Sequence, residues 1–176
     1  MDYEEVTVHT SDGLRLQGWY IPSRNGAAVV TYPREWTTTH AMMLAQQGYG
    51  VLLLDMRGYG DSEGDPNALG WGCTKDIDAG VAYLQTRPDV EGGRIGGLGL
   101  SVGAEQMIEA AASNPALRAV IAEGAGERSV RESLIRGPKG YFAVPMAAVR
   151  TAAVAIFSGQ PVPPSCAEHS ARVSPR

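Results

Sequence analysis

One serine in this chain stands where nucleophilic chemistry could be done. Ser101 lies in the run Gly99-Leu100-Ser101-Val102-Gly103. The apolar stretch 95–100 before it reads as a buried strand. The stretch 104–112 after it reads as a helix, which stops at Ser113-Asn114-Pro115. Strand, sharp turn and helix with Gly-x-Ser-x-Gly at the bend is the spacing of a nucleophile elbow. The apex serine must adopt a strained backbone conformation, and the small flanking residues let strand and helix approach. Its Oγ is then exposed beside a helix N-terminus, where a developing anion is stabilised. The same pattern also serves a Gly-rich turn that binds nothing, or one that holds phosphate.

The elements around this turn alternate. Residues 5–10 and 14–21 alternate apolar and polar side chains about Ser11-Asp12-Gly13 and read as a hairpin. A short β-rich run comes next at 27–31, then a helix at 37–47 that stops at Gly48. Residues 51–54 are an unbroken apolar run, as in a strand buried on both faces of a parallel sheet. A polar turn region at 57–67, a helix at 74–86, the elbow, and a strand at 119–122 ending at Glu123 come after it. Such alternation predicts a mostly parallel sheet between helical layers, a three-layer α/β/α fold. Ligands in such sheets bind at the C-terminal ends of strands, where Ser101 and Glu123 both fall. Beyond residue 127 the pattern changes. A short amphipathic helix is expected at 129–135 and an apolar one at 141–157. Pro145 and Arg150 interrupt the latter, which is short for a membrane span, so it reads as a lid or as a helix on the sheet edge. A last short helix is expected at 165–173.

With 176 residues, 44% hydrophobic and 19% charged, the chain suits one globular domain. A net charge of -4 argues against nucleic acid as a partner. Cys73 and Cys166 lack metal-type spacing and read as unpaired buried thiols in a reducing cytoplasm. The start carries no basic and apolar signal sequence, which also fits a cytoplasmic location. No cofactor is implied, because the glycines at the turn lack the Gly-x-Gly-x-x-Gly spacing of a dinucleotide site. No metal cluster is apparent.

Several segments together resemble the α/β-hydrolase superfamily. Residues 48–62, Gly-Tyr-Gly-Val-Leu-Leu-Leu-Asp-Met-Arg-Gly-Tyr-Gly-Asp-Ser, are similar to that family's strand and Asp-x-Arg-Gly-x-Gly-x-Ser loop. Residues 76–96 resemble its helix and entry into the elbow strand, and 13–22 its second strand. The resemblance implies a sheet order 1-2-4-3-5-6-7-8, with the elbow after strand five. It implies a serine nucleophile whose proton passes to a histidine oriented by an acid, with two backbone N–H groups holding the oxyanion. Ser101 matches the nucleophile, and Val102 the residue whose N–H is the first oxyanion donor. The substrate so implied is a small ester, thioester or amide, with an apolar acyl or alkyl part hinted at by the lid-like segment.

The sequence departs from that family at two places. Where it usually has His-Gly, this chain has Thr31-Tyr32-Pro33-Arg34-Glu35-Trp36. Pro33 has no N–H, so the second oxyanion donor falls to Arg34 or Tyr32. The family's acid and histidine usually lie after strands seven and eight, and only six strands are legible here. The expectation is therefore a truncated hydrolase: a core at 1–128, a lid-like segment at 129–164, and a remnant at 165–176 leading towards strand seven. Glu123 and His169 are the acid and base candidates within the chain. His9 reads as a solvated strand-end residue and His40 as an exposed helix residue. The alternative to an enzyme is a non-catalytic hydrolase-like scaffold that binds a small apolar ligand or another protein. A sheet ending at its sixth strand would also leave an edge open to self-association.

Overall fold

The computed structural model describes residues 2–66, 69–128, 130–135 and 144–170. Six strands form one sheet: β1 (Glu4–His9), β2 (Arg15–Ile21), β3 (Ala28–Tyr32), β4 (Gly50–Leu54), β5 (Ile95–Leu100) and β6 (Leu117–Glu123). Their order is β1-β2-β4-β3-β5-β6, the order the resemblance implies as far as its sixth strand. β1 pairs antiparallel with β2, and β2 with β4, while β4, β3, β5 and β6 run parallel.

All five residues of β4 are buried. Leu52 and Leu54 pack with Ile77, Val81 and Leu84 of α2 (Thr74–Gln85) and, in the same core, with Met107 and Ala110 of α3 (Val102–Ser113). Val51 and Leu53 pack on the opposite face against Ala41 and Ala45 of α1 (Arg34–Gln46). Each buried leucine, isoleucine, valine or methionine among these contributes about 1.5–3 kcal/mol, so the centre of the sheet carries the two helical layers. This is the three-layer arrangement expected from the alternating pattern.

Beyond β6 lie α4 (Val130–Ile135), α5 (Val144–Ser158) and α6 (Cys166–Ser170). Helix α4 packs on α5, and α6 on α3. No helix among the described residues is long and apolar enough to cross a membrane. The expected helix at 141–157 is seen from Val144 onward. Its first three residues, together with Ser129, Asn67 and residues 171–176 of the remnant expected at 165–176, lie outside the described residues. Helix α1 begins three residues earlier than expected, directly after Pro33. Both cysteines are free. Burial is the main cause that pushes the Cys73 thiol up to about 12 and the Cys166 thiol up to about 11.

The β1–β2 turn is fastened to the core by charge. Asp12 pairs with Arg57 at 3.0 Å and with Lys75 at 3.3 Å. The Arg57 hydrogen bond is the largest of the effects that hold the Asp12 carboxyl well below the usual carboxylate range. A lowered folded pKa stabilises the protein above the unfolded value, and that contribution is lost as pH falls towards the folded one. Asp12→Asn is therefore expected to lower the urea midpoint at neutral pH and to matter progressively less in acid. An equal drop at both extremes would show that the turn is not held electrostatically.

Candidate active site

Ser101 caps α3 with φ 53° and ψ -118°, the one positive φ at a non-glycine position among the described residues. Holding a serine there costs about 1–3 kcal/mol, and the surrounding packing must impose it. Two close approaches do so. A Cβ on Gly103 would lie 2.1 Å from Tyr32 O and 2.9 Å from Pro33 Cδ. One on Gly99 would lie 2.2 Å from Gly103 O. Both flanking glycines thus let backbone meet backbone. The Ser101 N–H donates to Glu123 O at 2.9 Å, locking the apex to the end of β6. The serine is left exposed.

Two helix N-termini converge beside it. In α3 the N–H groups of Ala104 and Glu105 donate to Ser101 O. Val102 and Gly103, at the very start of the helix, have no intrahelical acceptor. In α1 the N–H groups of Trp36 and Thr37 donate to Pro33 O, which leaves those of Arg34 and Glu35 as first-turn donors. The sequence pattern places Arg34 and Trp36 in a loop, whereas in the structure they form the first turn of α1. Contact between Gly103 and the Tyr32–Pro33 segment brings the starts of α1 and α3 together. The Arg34 side chain is engaged elsewhere. It pairs with Asp55 at 2.7 Å and stacks over the Trp19 ring at 4.3 Å. Burial raises the Asp55 carboxyl, against the opposing pull of Arg34.

The remaining histidines and Glu123 are spread over four elements. His40 on α1 is half-buried rather than exposed, and its Nε2 lies 3.5 Å from Glu123 Oε2. Glu123 therefore joins the elbow through its carbonyl and α1 through its carboxylate. His169 is buried on α6, with neither ring nitrogen hydrogen-bonded and no bond to Ser101 among the described residues. His9 is exposed at the end of β1.

The loop that carries the resemblance has a structural role here. Arg57 donates to Asp76 from Nε at 2.9 Å and from Nη2 at 2.6 Å. Ser62 Oγ accepts the Gln17 N–H at 2.9 Å. Gly58, at φ 74°, lies where a Cβ would be 2.3 Å from Pro66 N.

A cavity of about 450 Å³ lies beyond this loop, lined among others by Leu14, Arg57, Trp71, Val154, Phe157 and Gln160. Gly70, next to Trp71, abuts the Val102 side chain, where its Cβ would lie 2.8 Å from Cγ1. One wall of the cavity therefore adjoins the first turn of α3.

A mostly parallel sheet with this strand order, and a strained serine between β5 and α3, defines the α/β-hydrolase superfamily. The chain matches the model of the X-Pro dipeptidyl-peptidase (S15) family over residues 15–167 and belongs to that family. It is 35% identical over 119 residues to the uncharacterized protein Rv2307c of Mycobacterium tuberculosis, covering 63% of this chain and 42% of that protein. It is 32% identical over 110 residues to the alpha/beta hydrolase domain-containing protein WAV2 of Arabidopsis thaliana, covering 57% and 35%. The chain thus spans less than half the length of either relative. Among solved structures, an esterase of Pyrococcus furiosus, Pf2001, superposes with a TM-score of 0.67 at 27% identity, over 81% of this chain and 56% of that one.

Two parts of the arrangement are not legible in sequence. The His40–Glu123 contact depends on α1 lying across the parallel strands, and no spacing signals it. The other is Arg128, which lies after β6 and is buried against α3 between Glu105 and Glu109, at 3.5 Å and 2.6 Å. Glu105 and Glu109, one turn apart on α3, are the available clue.

Proposed function

We propose that this chain carries the nucleophile of a serine hydrolase that cleaves an ester, thioester or amide. Ser101 Oγ attacks the carbonyl carbon, and its proton passes to a base. The Val102 N–H and a first-turn N–H of α1, that of Arg34, take up the charge on the carbonyl oxygen. The tetrahedral adduct expels the protonated alcohol, thiol or amine. Water then cleaves acyl-Ser101, releases the acid and restores the hydroxyl. The single observation that supports this most is the exposed Ser101 in its strained conformation between two converging helix N-termini. The esterase likeness of Pf2001 agrees with it, and the cavity beside Trp71 suits an apolar acyl or alkyl group.

The test is covalent labelling with a fluorophosphonate. The protein is expected to form a serine adduct that Ser101→Ala abolishes. The adduct should form slowly, because no imidazole is bonded to Ser101 among the described residues and loss of the base in a serine protease costs about 10⁶ in kcat. That same lack of a bonded base supports a second reading, a non-catalytic scaffold for a small apolar ligand or a protein. Labelling that is absent, or that survives Ser101→Ala, would favour it.

A further inference from the structure

The first turn of α1 is held from two sides. On the β5 side, Gly103 of α3 meets Tyr32 O and Pro33 Cδ. On the other side of β3 lie β4 and β2, and the Arg34 side chain reaches towards them. Its guanidinium pairs at 2.7 Å with Asp55, the residue after β4, and lies 4.3 Å over the ring of Trp19 on β2. The pair is largely out of water, with side chains 21% and 9% exposed. Trp19 is itself fixed, since it packs against the cluster that Val51 and Leu53 form with Ala41 and Ala45 of α1. Such an anchor matters because Pro33, at the N-cap, makes no side-chain cap hydrogen bond. The Thr37 hydroxyl holds the Pro33 carbonyl, at 2.9 Å, and lies 3.0 Å from Thr31 Oγ1. The Pro33–Arg34 peptide is planar, so its carbonyl and the Arg34 Cα together set the direction of the Arg34 N–H. Thr37 fixes the first, and the gripped side chain fixes the second.

We propose that Asp55 and Trp19 are positioning residues for the oxyanion site: by gripping the Arg34 side chain they aim the Arg34 N–H at the oxygen bound beside Ser101. The proposal rests on Ser101 being the nucleophile. Arginine suits the task because its planar fork pairs with a carboxylate while its face stacks on a ring, which the point charge of lysine does not do. The grip also makes the site sensitive to acid. Arg34 faces Asp55 as its partner, while Asp61 and Glu35 act on it as like charges. Burial above all raises the Asp55 carboxyl. Asp55 therefore grips Arg34 at neutral pH and lets go as pH falls through that raised value.

The experiment is the rate of fluorophosphonate labelling at Ser101, followed against pH on the full 176-residue chain, with circular dichroism checking that each variant is folded. At neutral pH, Asp55→Asn should label about tenfold slower, since a displacement of about 1 Å in a reacting geometry costs up to about 10²-fold. Trp19→Leu should slow labelling likewise, and Trp19→Phe, which keeps a ring face for the guanidinium, should restore most of the rate. The ratio of parent to Asp55→Asn should fall towards one in acid, where the parent has lost the ion pair too. A general weakening of the fold would not be cancelled in this way. Absence of Ser101 labelling in the parent at every pH overturns the nucleophile reading and this inference with it. A parent that labels while Asp55→Asn or Trp19→Leu labels at the same rate overturns the inference alone. So does a deficit in Asp55→Asn that persists unchanged into acid, or a Trp19→Phe protein as slow as Trp19→Leu.

Discussion

Gly103→Ala is expected to destabilise the protein by about 3 kcal/mol, at the upper end of what one added methyl costs in a packed interior. The reason lies in what the methyl would meet. Tyr32 O, 2.1 Å from the new Cβ, is main chain and cannot rotate away. Tyr32 ends β3 and is paired with Gly99 of β5, so moving it opens the ladder beside the elbow. Gly103 is equally constrained, because its own carbonyl sits against Gly99. Urea unfolding gives the measurement. Gly92→Ala is the control, since a Cβ there has nothing within 4 Å. A Gly103→Ala protein within about 0.5 kcal/mol of the parent, the ordinary range for an unconstrained surface position, would show that α1 does not press on α3. It would also remove the physical basis for two helix N-termini sharing one oxyanion. Slower fluorophosphonate labelling should accompany the lost stability, because the same contact holds Ser101 in its strained conformation.

The features legible in the sequence are those that short-range chemistry determines. The elbow is legible because glycine at 99 and 103 is a steric requirement, and the contacts at both positions bear that out. Strand β4 is legible because burial on both faces demands an unbroken apolar run. The start of α1 is not, because Pro33 and Arg34 provide no Ser, Thr, Asp or Asn cap. The helix begins without a side-chain cap, set instead by the extended Pro33. His40 and Glu123 lie far apart in the chain, and only the right-handed crossovers of a parallel sheet bring such residues together. Arg128 shows the same limit. A lone arginine after a strand reads as surface, yet here two glutamates of α3 draw it in to 1% exposure. Its neighbourhood continues into the C-terminal segment, since Glu132 accepts the Cys166 N–H at 2.7 Å. The sequence pattern divides a core at 1–128 from the residues after it. Among the described residues, α6 packs on α3 and Glu132 of α4 holds the start of α6, so both helices are tied back to the helix that Ser101 caps.

Asp76→Ala should cost about 3–5 kcal/mol, the range for removing one partner of a buried ion pair. Asp76 sits in the first turn of α2 and is fully buried. One oxygen accepts Arg57 Nε and Nη2. The other accepts the Arg57 N–H at 3.2 Å and the Tyr32 hydroxyl at 2.8 Å. Alanine would leave a largely buried guanidinium with only Asp12, and a buried phenol with nothing to donate to. Burial, reinforced by the Asp76 charge, already holds the Tyr32 hydroxyl well above its ordinary pKa, so ionisation offers it no relief. Asp76→Asn keeps the volume and an acceptor for Tyr32 while removing the charge, so it should cost less than alanine. The double substitution Arg57→Ala with Asp76→Ala should cost less than the sum of the two single ones, the signature of direct coupling. The loss is also expected to reach the Ser101 turn. Tyr32 is held by Asp76 through its hydroxyl and presses on Gly103 through its carbonyl, so one residue links the Asp55–Ser62 loop to the elbow. Asp76→Asn should therefore slow labelling of Ser101 while the protein is still folded. If it unfolds at lower urea yet labels at the parent rate, that loop stabilises the fold without positioning Ser101.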